Sequence, residues 1–227
     1  DQDPLSVRCI PQISGSVRDI LAHARDSVET ELNGVSDNPL VFPDGNVVSS
    51  GSYSGLQVAV VTDSLIPAIQ KMGIASERRT NKLLTADDAP SFLASEPGTE
   101  SGLMIAQYTA AGLLADLPTS TVGSRSVTVS GGQEDLHSLG TIGARRLRNT
   151  VESIRQVLAV ELLSAVQYQL LTDESTGSPI TAVDSVIEPI ARPLSDSPIT
   201  GQIEEIADLI RGGELLDELA DQGVTIQ

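Results

Sequence analysis

One cysteine, three tyrosines, two phenylalanines and no tryptophan leave this 227-residue chain short of the usual large and reactive side chains. The single cysteine, Cys9, excludes an internal disulfide, and nothing around it argues for a thiolate; it reads as a small buried residue. Aromatics are 2% of a chain that is 40% hydrophobic, so the core must come from Leu, Ile, Val and Ala. That composition favours helix packed on helix over a sheet sandwich. Lysine occurs only at Lys71 and Lys82, and 14 basic residues face 31 acidic ones for a net charge of −17. Phosphate binding needs cationic clusters, and so acidic a balance argues against nucleic acid as a partner. An acid-rich, lysine-poor surface suits high salt, which screens its self-repulsion, and reads as a halophile-like cytoplasmic protein; an ordinary acidic protein is the blander reading. No apolar run reads as long enough to span a membrane, and no membrane is expected. No signal-peptide pattern is present, and Asp1 rather than Met opens the chain, as in an internal fragment of a longer protein. Gly-rich phosphate loops and dinucleotide fingerprints are absent, and two histidines without acidic or Cys spacing make no metal site.

What is present is helical periodicity. In "SGSVRDILAHARDSVETELNG", Val17, Ile20, Leu21, Ala24 and Val28 recur at three and four residues, and Asn33-Gly34 ends the run. "LVFPDGNVV" carries a Pro-Asp-Gly turn and fits a short hairpin or ordered loop. A second helix is expected over Leu56 to Leu84, kinked or interrupted at Pro67. "TADDAPSFLASEPGTES" reads as loop, and "SGLMIAQYTAAGLLADL", apolar nearly all round, as a buried helix. A long helix is expected from about Glu134 to Leu171, with Ile142, Leu147, Val151, Ile154, Leu158, Leu162 and Ala165 on one broad face. Shorter helices near Ala182–Ile190 and Thr200–Ile210 follow, broken at Gly212-Gly213, with "ELLDELA" adding a last turn. The sum is an all-α chain, an elongated bundle of long helices with structured loops. It reads as one helical domain over 1–227, with a helical core at 1–172 and an acidic tail of short helices at 173–227.

One stretch raises a chemical question. "SGGQEDLHSLG", residues 130–140, runs two glycines into Gln133, Glu134, Asp135 and His137. Acids at the first turn of a helix are common caps, stabilised by the helix N-terminus. On the residues alone, that reading of Glu134 and Asp135 prevails. His23 reads as ordinary surface or interhelical packing. The basic cluster Arg145 to Arg148 reads as interhelical salt bridging.

Six stretches, in order, resemble one family. "QDPLSVRCIPQ" resembles the histidine ammonia-lyase signature "QDPYSLRCQPQ", and "VSDNPLVFPDGNVVSSGSYSG" resembles "SDNPLVF" followed by "SGGNFHG". "SERRTNKLL", "SGLMIAQYTAA", "QEDLHSLGTIGARRL" and "VLAVELLSAVQ" resemble "SERR", "SGFMIAQVTAA", "QEDHVSMATFAARRL" and "ILAVELLAAAQ". The matches cover roughly the first three-quarters of the chain. The family, shared with phenylalanine and tyrosine ammonia-lyases, implies an ammonia-lyase and fumarase-like helical fold. It also implies a homotetramer whose active sites draw loops from three subunits. Its electrophile is methylidene-imidazolone, made from an internal Ala-Ser-Gly. That triplet belongs to the family's N-terminal half and does not occur in this chain, which looks like the C-terminal part and is expected to be inactive alone.

The resemblance assigns expectations to particular residues. Arg8 aligns with the arginine that clamps the substrate carboxylate, work that suits a bidentate guanidinium. Gln2 matches a glutamine beside the electrophile. Tyr53 stands where the family has a Phe near the electrophile and substrate ring, with Ser52 and Ser54 replacing its polar neighbours. Glu134 matches the Glu that faces the substrate imidazole in histidine-specific members, usually Gln in the phenylalanine- and tyrosine-specific ones. Asp135 stays a cap, and His137, one position off the family His, is a bystander because one residue turns a helical side chain by about 100°. Leu5 departs from a family Tyr and can neither donate a hydrogen bond nor shuttle a proton. The implied function is elimination of ammonia from L-histidine to give urocanate, with a small amino acid as the partner and no metal. Leu5 and "SYSG" favour a different aromatic amino acid lyase or an aminomutase. The missing triplet favours a non-catalytic helical assembly module or remnant.

Overall fold

The structure, a computed structural model, describes residues 2–122, 125–172, 177–191 and 198–224. Helices dominate, as the poverty in aromatics predicts. They are α1 (Leu5–Arg8), α2 (Ile10–Asn33), α3 (Leu56–Leu84), α4 (Met104–Ala115), α5 (Gly140–Thr172), α6 (Ser178–Ala191), α7 (Thr200–Gly212) and α8 (Glu214–Asp221). The expected hairpin is there: β1 (Leu40–Val41) pairs antiparallel with β2 (Val47–Val48), Leu40 opposite Val48 and Val41 opposite Val47.

Contacts group the chain into two compact units. One takes Asp1–Cys9, Gly73–Leu117 and Glu152–Gln227; the other takes Ile10–Met72 and Pro118–Val151. In the first, Leu84, Leu93, Ala106, Ala110, Val157, Val160 and Leu163 form one core with Ile187, Ile206 and Leu215 of α6, α7 and α8. In the second, Ala24 of α2 packs with Val61 and Leu65 of α3, flanked by Ile20, Ile69 and Leu147.

Several boundaries differ from the periodic reading. The α2 helix starts at Ile10, ahead of Ser14, because Pro11 lies in the first turn, where a missing N–H costs no bond. The α3 helix runs without a break through Pro67. Val61, Leu65 and Ile66, all 6% exposed or less, clamp it by packing. By length and composition α3 is also long and apolar enough to cross a membrane, which corrects the expectation that no run is; buried core helices pass the same test.

The α5 helix begins at Gly140, not near Glu134. Upstream, Val129 and Glu134 form an isolated antiparallel bridge around a tight turn at Ser130–Gly132, with Gly131 at φ 64° and Gly132 at φ 90°. The buried face of α5 is offset as well. Ile154, Val157, Val160 and Leu163 are 2% exposed or less, whereas Ile142 and Val151 are more than a third exposed. The α4 helix is apolar all round yet only Ala106 and Ala110 are buried; Ile105 and Tyr108 stand outward, which corrects the reading of a wholly buried helix. The last turn expected at "ELLDELA" is the separate helix α8, entered through Gly213 at φ 86°, whose N–H bonds the Leu209 carbonyl at 3.2 Å.

Candidate functional site

In the second unit a cavity of about 870 Å³ opens between two loops. Its walls include Tyr53, Ser54 and Val58 on one side and Glu134, His137 and Ile142 on the other. The Tyr53 loop is held by polar clasps. The Asn38 side-chain oxygen accepts the Ser50 N–H at 2.9 Å, Ser52 N–H donates to the Ser50 hydroxyl at 3.0 Å, and Ser54 N–H donates to the Gly51 carbonyl at 3.0 Å. These bonds close the turn and present the Tyr53 ring, 56% exposed, along the cavity.

The facing loop is fixed by pairing instead of by helix. Val129 N–H donates to the Glu134 carbonyl at 2.9 Å, and the His137 N–H donates to the Ser126 hydroxyl at 3.0 Å. Glu134 is therefore outside α5 and does not cap it. Asp135 does not cap the helix either. His137 is not helical either, so its offset of one residue does not turn its side chain by a helical step. Its Nε2 lies 3.5 Å from Glu134 Oε2. That nitrogen is shut off from solvent and makes no hydrogen bond, so the contact is an ion pair only when the imidazole is protonated. The sequence carries only an i, i+3 spacing as a hint of this neighbour.

Gln2, Leu5 and Arg8 lie in the first unit and do not line that cavity. All three are exposed, and α1, which carries Leu5 and Arg8, is a single helical turn. Arg8 Nε donates to the Asp3 carbonyl at 2.7 Å, and its two terminal nitrogens make no hydrogen bond among the described residues. Nearby, Arg79 of α3 forms a two-pronged pair with Glu161 of α5, Nε to Oε1 at 2.5 Å and Nη2 to Oε2 at 2.8 Å. Arg79 Nη1 also reaches the Ser6 carbonyl at 3.1 Å. Lys82 approaches the Asp3 carboxylate at 3.4 Å, and a second cavity of about 770 Å³ is lined by Val7, Arg79, Lys82, Glu161 and Tyr168.

The remaining candidates resolve simply. His23 is exposed on α2, and Cys9 is half-buried rather than buried. The basic run forms no ion pair among the described residues; Arg146 donates to the Ser120 carbonyl at 3.2 Å instead. No group of three or more His, Cys, Asp or Glu side chains that could hold a metal occurs among the described residues.

Comparison with known proteins adds the following. A family model described as aromatic amino acid lyase matches residues 1–188. A histidine ammonia-lyase of Symbiobacterium thermophilum is 38% identical over 222 residues, which is 95% of this chain and 44% of that protein. The crystal structure of histidine ammonia-lyase from Trypanosoma cruzi superposes with a TM-score of 0.91 at 34% identity, covering 97% of this chain and 45% of that one. Tyrosine aminomutase from Streptomyces globisporus superposes with a TM-score of 0.92 at 31% identity, covering 100% and 44%. The chain thus spans less than half the length of each of these relatives.

Proposed function

The chain belongs to the aromatic amino acid lyase family, and we propose that it is the C-terminal part of an enzyme that eliminates ammonia from L-histidine to give urocanate. The observation that carries the reading is Glu134, a carboxylate on the wall of a cavity it shares with an aromatic ring, Tyr53. A carboxylate accepts an imidazole N–H in a charge-assisted bond, whereas an unsubstituted phenyl ring has no N–H or O–H to offer it. The histidine ammonia-lyases among the relatives support the choice of substrate.

The chain's own residues would bind and orient. Arg8, its Nε already engaged by Asp3, offers its two terminal nitrogens to the substrate carboxylate. Glu134 holds the imidazole, Tyr53 lies against the ring, and Gln2 borders the electrophile. The methylidene-imidazolone group would come from an Ala-Ser-Gly outside this chain, and it supplies the electrophile for the substrate amine. The exposed Tyr53 ring on an open cavity fits the edge of such a planar group. The proton acceptor at the β-carbon also lies outside this chain, so residues 1–227 alone are inactive on this reading. Arg8 and Glu134 need not serve one active site, because a homotetramer that draws each site from three subunits can combine them across chains. The enzyme on this reading works in the cytoplasm, without a metal.

A second reading has its own observation. Leu5, exposed on α1, replaces a phenol with an alkyl chain, and the likeness to tyrosine aminomutase is as close in fold as that to histidine ammonia-lyase. Incubating the complete enzyme with L-histidine, L-phenylalanine and L-tyrosine separates the two. Urocanate absorbance with histidine alone is the expected result; cinnamate, coumarate or a β-amino acid as the main product would replace it with the second reading.

A further inference from the structure

The α1 turn is too short to hold itself in place. It has four residues, no side-chain cap and no buried residue. Its internal bonds run from Val7, Arg8 and Cys9 N–H to the Pro4 and Leu5 carbonyls. Only Cys9 separates it from α2, but a turn of four residues is itself far below what helix nucleation allows, so contacts beyond the turn help to hold it. One such contact is Arg79, whose Nη1 donates to the Ser6 carbonyl, one of the acceptors that a helix end leaves without a partner. Arg79 is itself held in place by a paired carboxylate. Its Nε and Nη2 grip both oxygens of Glu161, and the two side chains are 20% and 18% exposed. The three donors sit in one planar fork between two long helices and α1, a geometry that an ammonium cannot reproduce.

Building on the reading of Arg8 as the carboxylate clamp, we propose that Arg79, locked by Glu161, is a positioning residue that sets the Arg8 turn for carboxylate binding. Ser6 is two residues from Arg8 in the same turn, so a shift of its carbonyl moves the Arg8 backbone directly. The Asp3 carbonyl then orients the guanidinium from the other side, with Lys82 drawn towards the Asp3 carboxylate. Arg79 touches no substrate in this account. It acts through Ser6, and removing it lets the turn wander while Arg8 itself remains.

The test uses the complete enzyme with Arg79→Lys, Arg79→Gln and Glu161→Gln, each alone and combined with Arg8→Lys. Arg79→Lys keeps a cation beside Glu161 and guards against a variant that fails to fold; thermal midpoint and assembly mass are read alongside. The expected result is a KM for the amino acid raised about tenfold, with kcat within about threefold, as when binding common to ground and transition states is lost. Inhibition by the decarboxylated amine of the same substrate, which lacks the group Arg8 holds, should stay unchanged; general loosening of the site would weaken both. In the Arg8→Lys background, the Arg79 variants should change KM by less than about twofold, because the two residues act as one unit. An unchanged KM in all three single variants, or additive effects with Arg8→Lys, overturns the positioning role alone. If Arg8→Lys itself leaves KM unchanged, the carboxylate clamp and the positioning role fall together.

Discussion

Gly73→Ala places a methyl group where α3 meets α5, and its cost follows from three distances. A Cβ at Gly73 would lie 2.2 Å from Ile154 Cδ1, 3.3 Å from Ile154 Cγ1 and 3.2 Å from Leu114 Cδ2. In an exposed helix the exchange would stabilise by about 1 kcal/mol, because Ala loses less backbone entropy than Gly. Here Ile154 must move, and at 2% exposure it has little room to do so. Overpacking of this kind costs about 1–3 kcal/mol, so the net change is a destabilisation of up to about 2 kcal/mol. Removing the offending atom should reverse it. Ile154→Val deletes Cδ1 and alone costs about 0.5–1.5 kcal/mol. In the Gly73→Ala background the same change should cost nothing or stabilise. Thermal and urea unfolding of the four proteins closes the cycle, and a coupling above about 0.5 kcal/mol is expected for residues in contact. Additive effects, or a Gly73→Ala protein more stable than the parent, would refute the packing argument.

Gly102 is at φ 53°, and a Cβ there would lie 2.3 Å from the Phe92 carbonyl oxygen and 2.8 Å from the Ala94 nitrogen. Those are backbone atoms, so Gly102→Ala should be worse than Gly73→Ala, costing more than about 3 kcal/mol, read as loss of soluble protein or a lower thermal midpoint. Glu152 is exposed between Arg155 at 2.9 Å and Arg211 at 3.0 Å. Burial acts to raise its carboxyl, but the two guanidinium groups outweigh it and hold it below the ordinary value of 4.5. A depressed carboxyl stabilises the fold above its unfolded value and loses that support as pH falls through the folded one. Glu152→Gln should therefore cost a few tenths of a kcal/mol at pH 7 and low salt, and nothing near pH 2. A pH-independent difference between the two thermal midpoints would contradict the sign.

The helical class was legible because Leu, Ile, Val and Ala at three- and four-residue spacing leave few other ways to bury a core. The limits of α3 and the hairpin followed from the same patterning and from the Pro-Asp-Gly turn. The start of α5 did not. "QEDLHS" looks like a first helical turn, but the pairing of Val129 with Glu134 and the bond from the His137 N–H to Ser126 hold it outside the helix. Leu93 and Ala94, 2% exposed or less, sit in a stretch whose Pro, Ser and Asp read as solvent loop. Leu93 packs into the core of the first unit, and Gln167 donates to its carbonyl at 2.7 Å, a contact 74 residues away in the chain. Tyr53 and Glu134 were both singled out by local motif, but their meeting on one cavity depends on loop closure that no local pattern contains. His137 entered that cavity against expectation, since its exclusion assumed a helix that begins only at Gly140. Arg79 stood in a stretch marked only as matching "SERR", and its bond to Ser6, 73 residues away, gave no local sign.

The reading of Glu134 as the imidazole-binding residue is tested most directly by Glu134→Gln in the complete enzyme. The measurement is kcat/KM for L-histidine against L-phenylalanine and L-tyrosine, followed by product absorbance. A charge-assisted hydrogen bond contributes about 1.5–3 kcal/mol, so the ratio should fall about 10- to 100-fold against histidine while the protein stays folded. An unchanged preference for histidine would make Glu134 a structural residue of the 126–137 loop and would contradict the account.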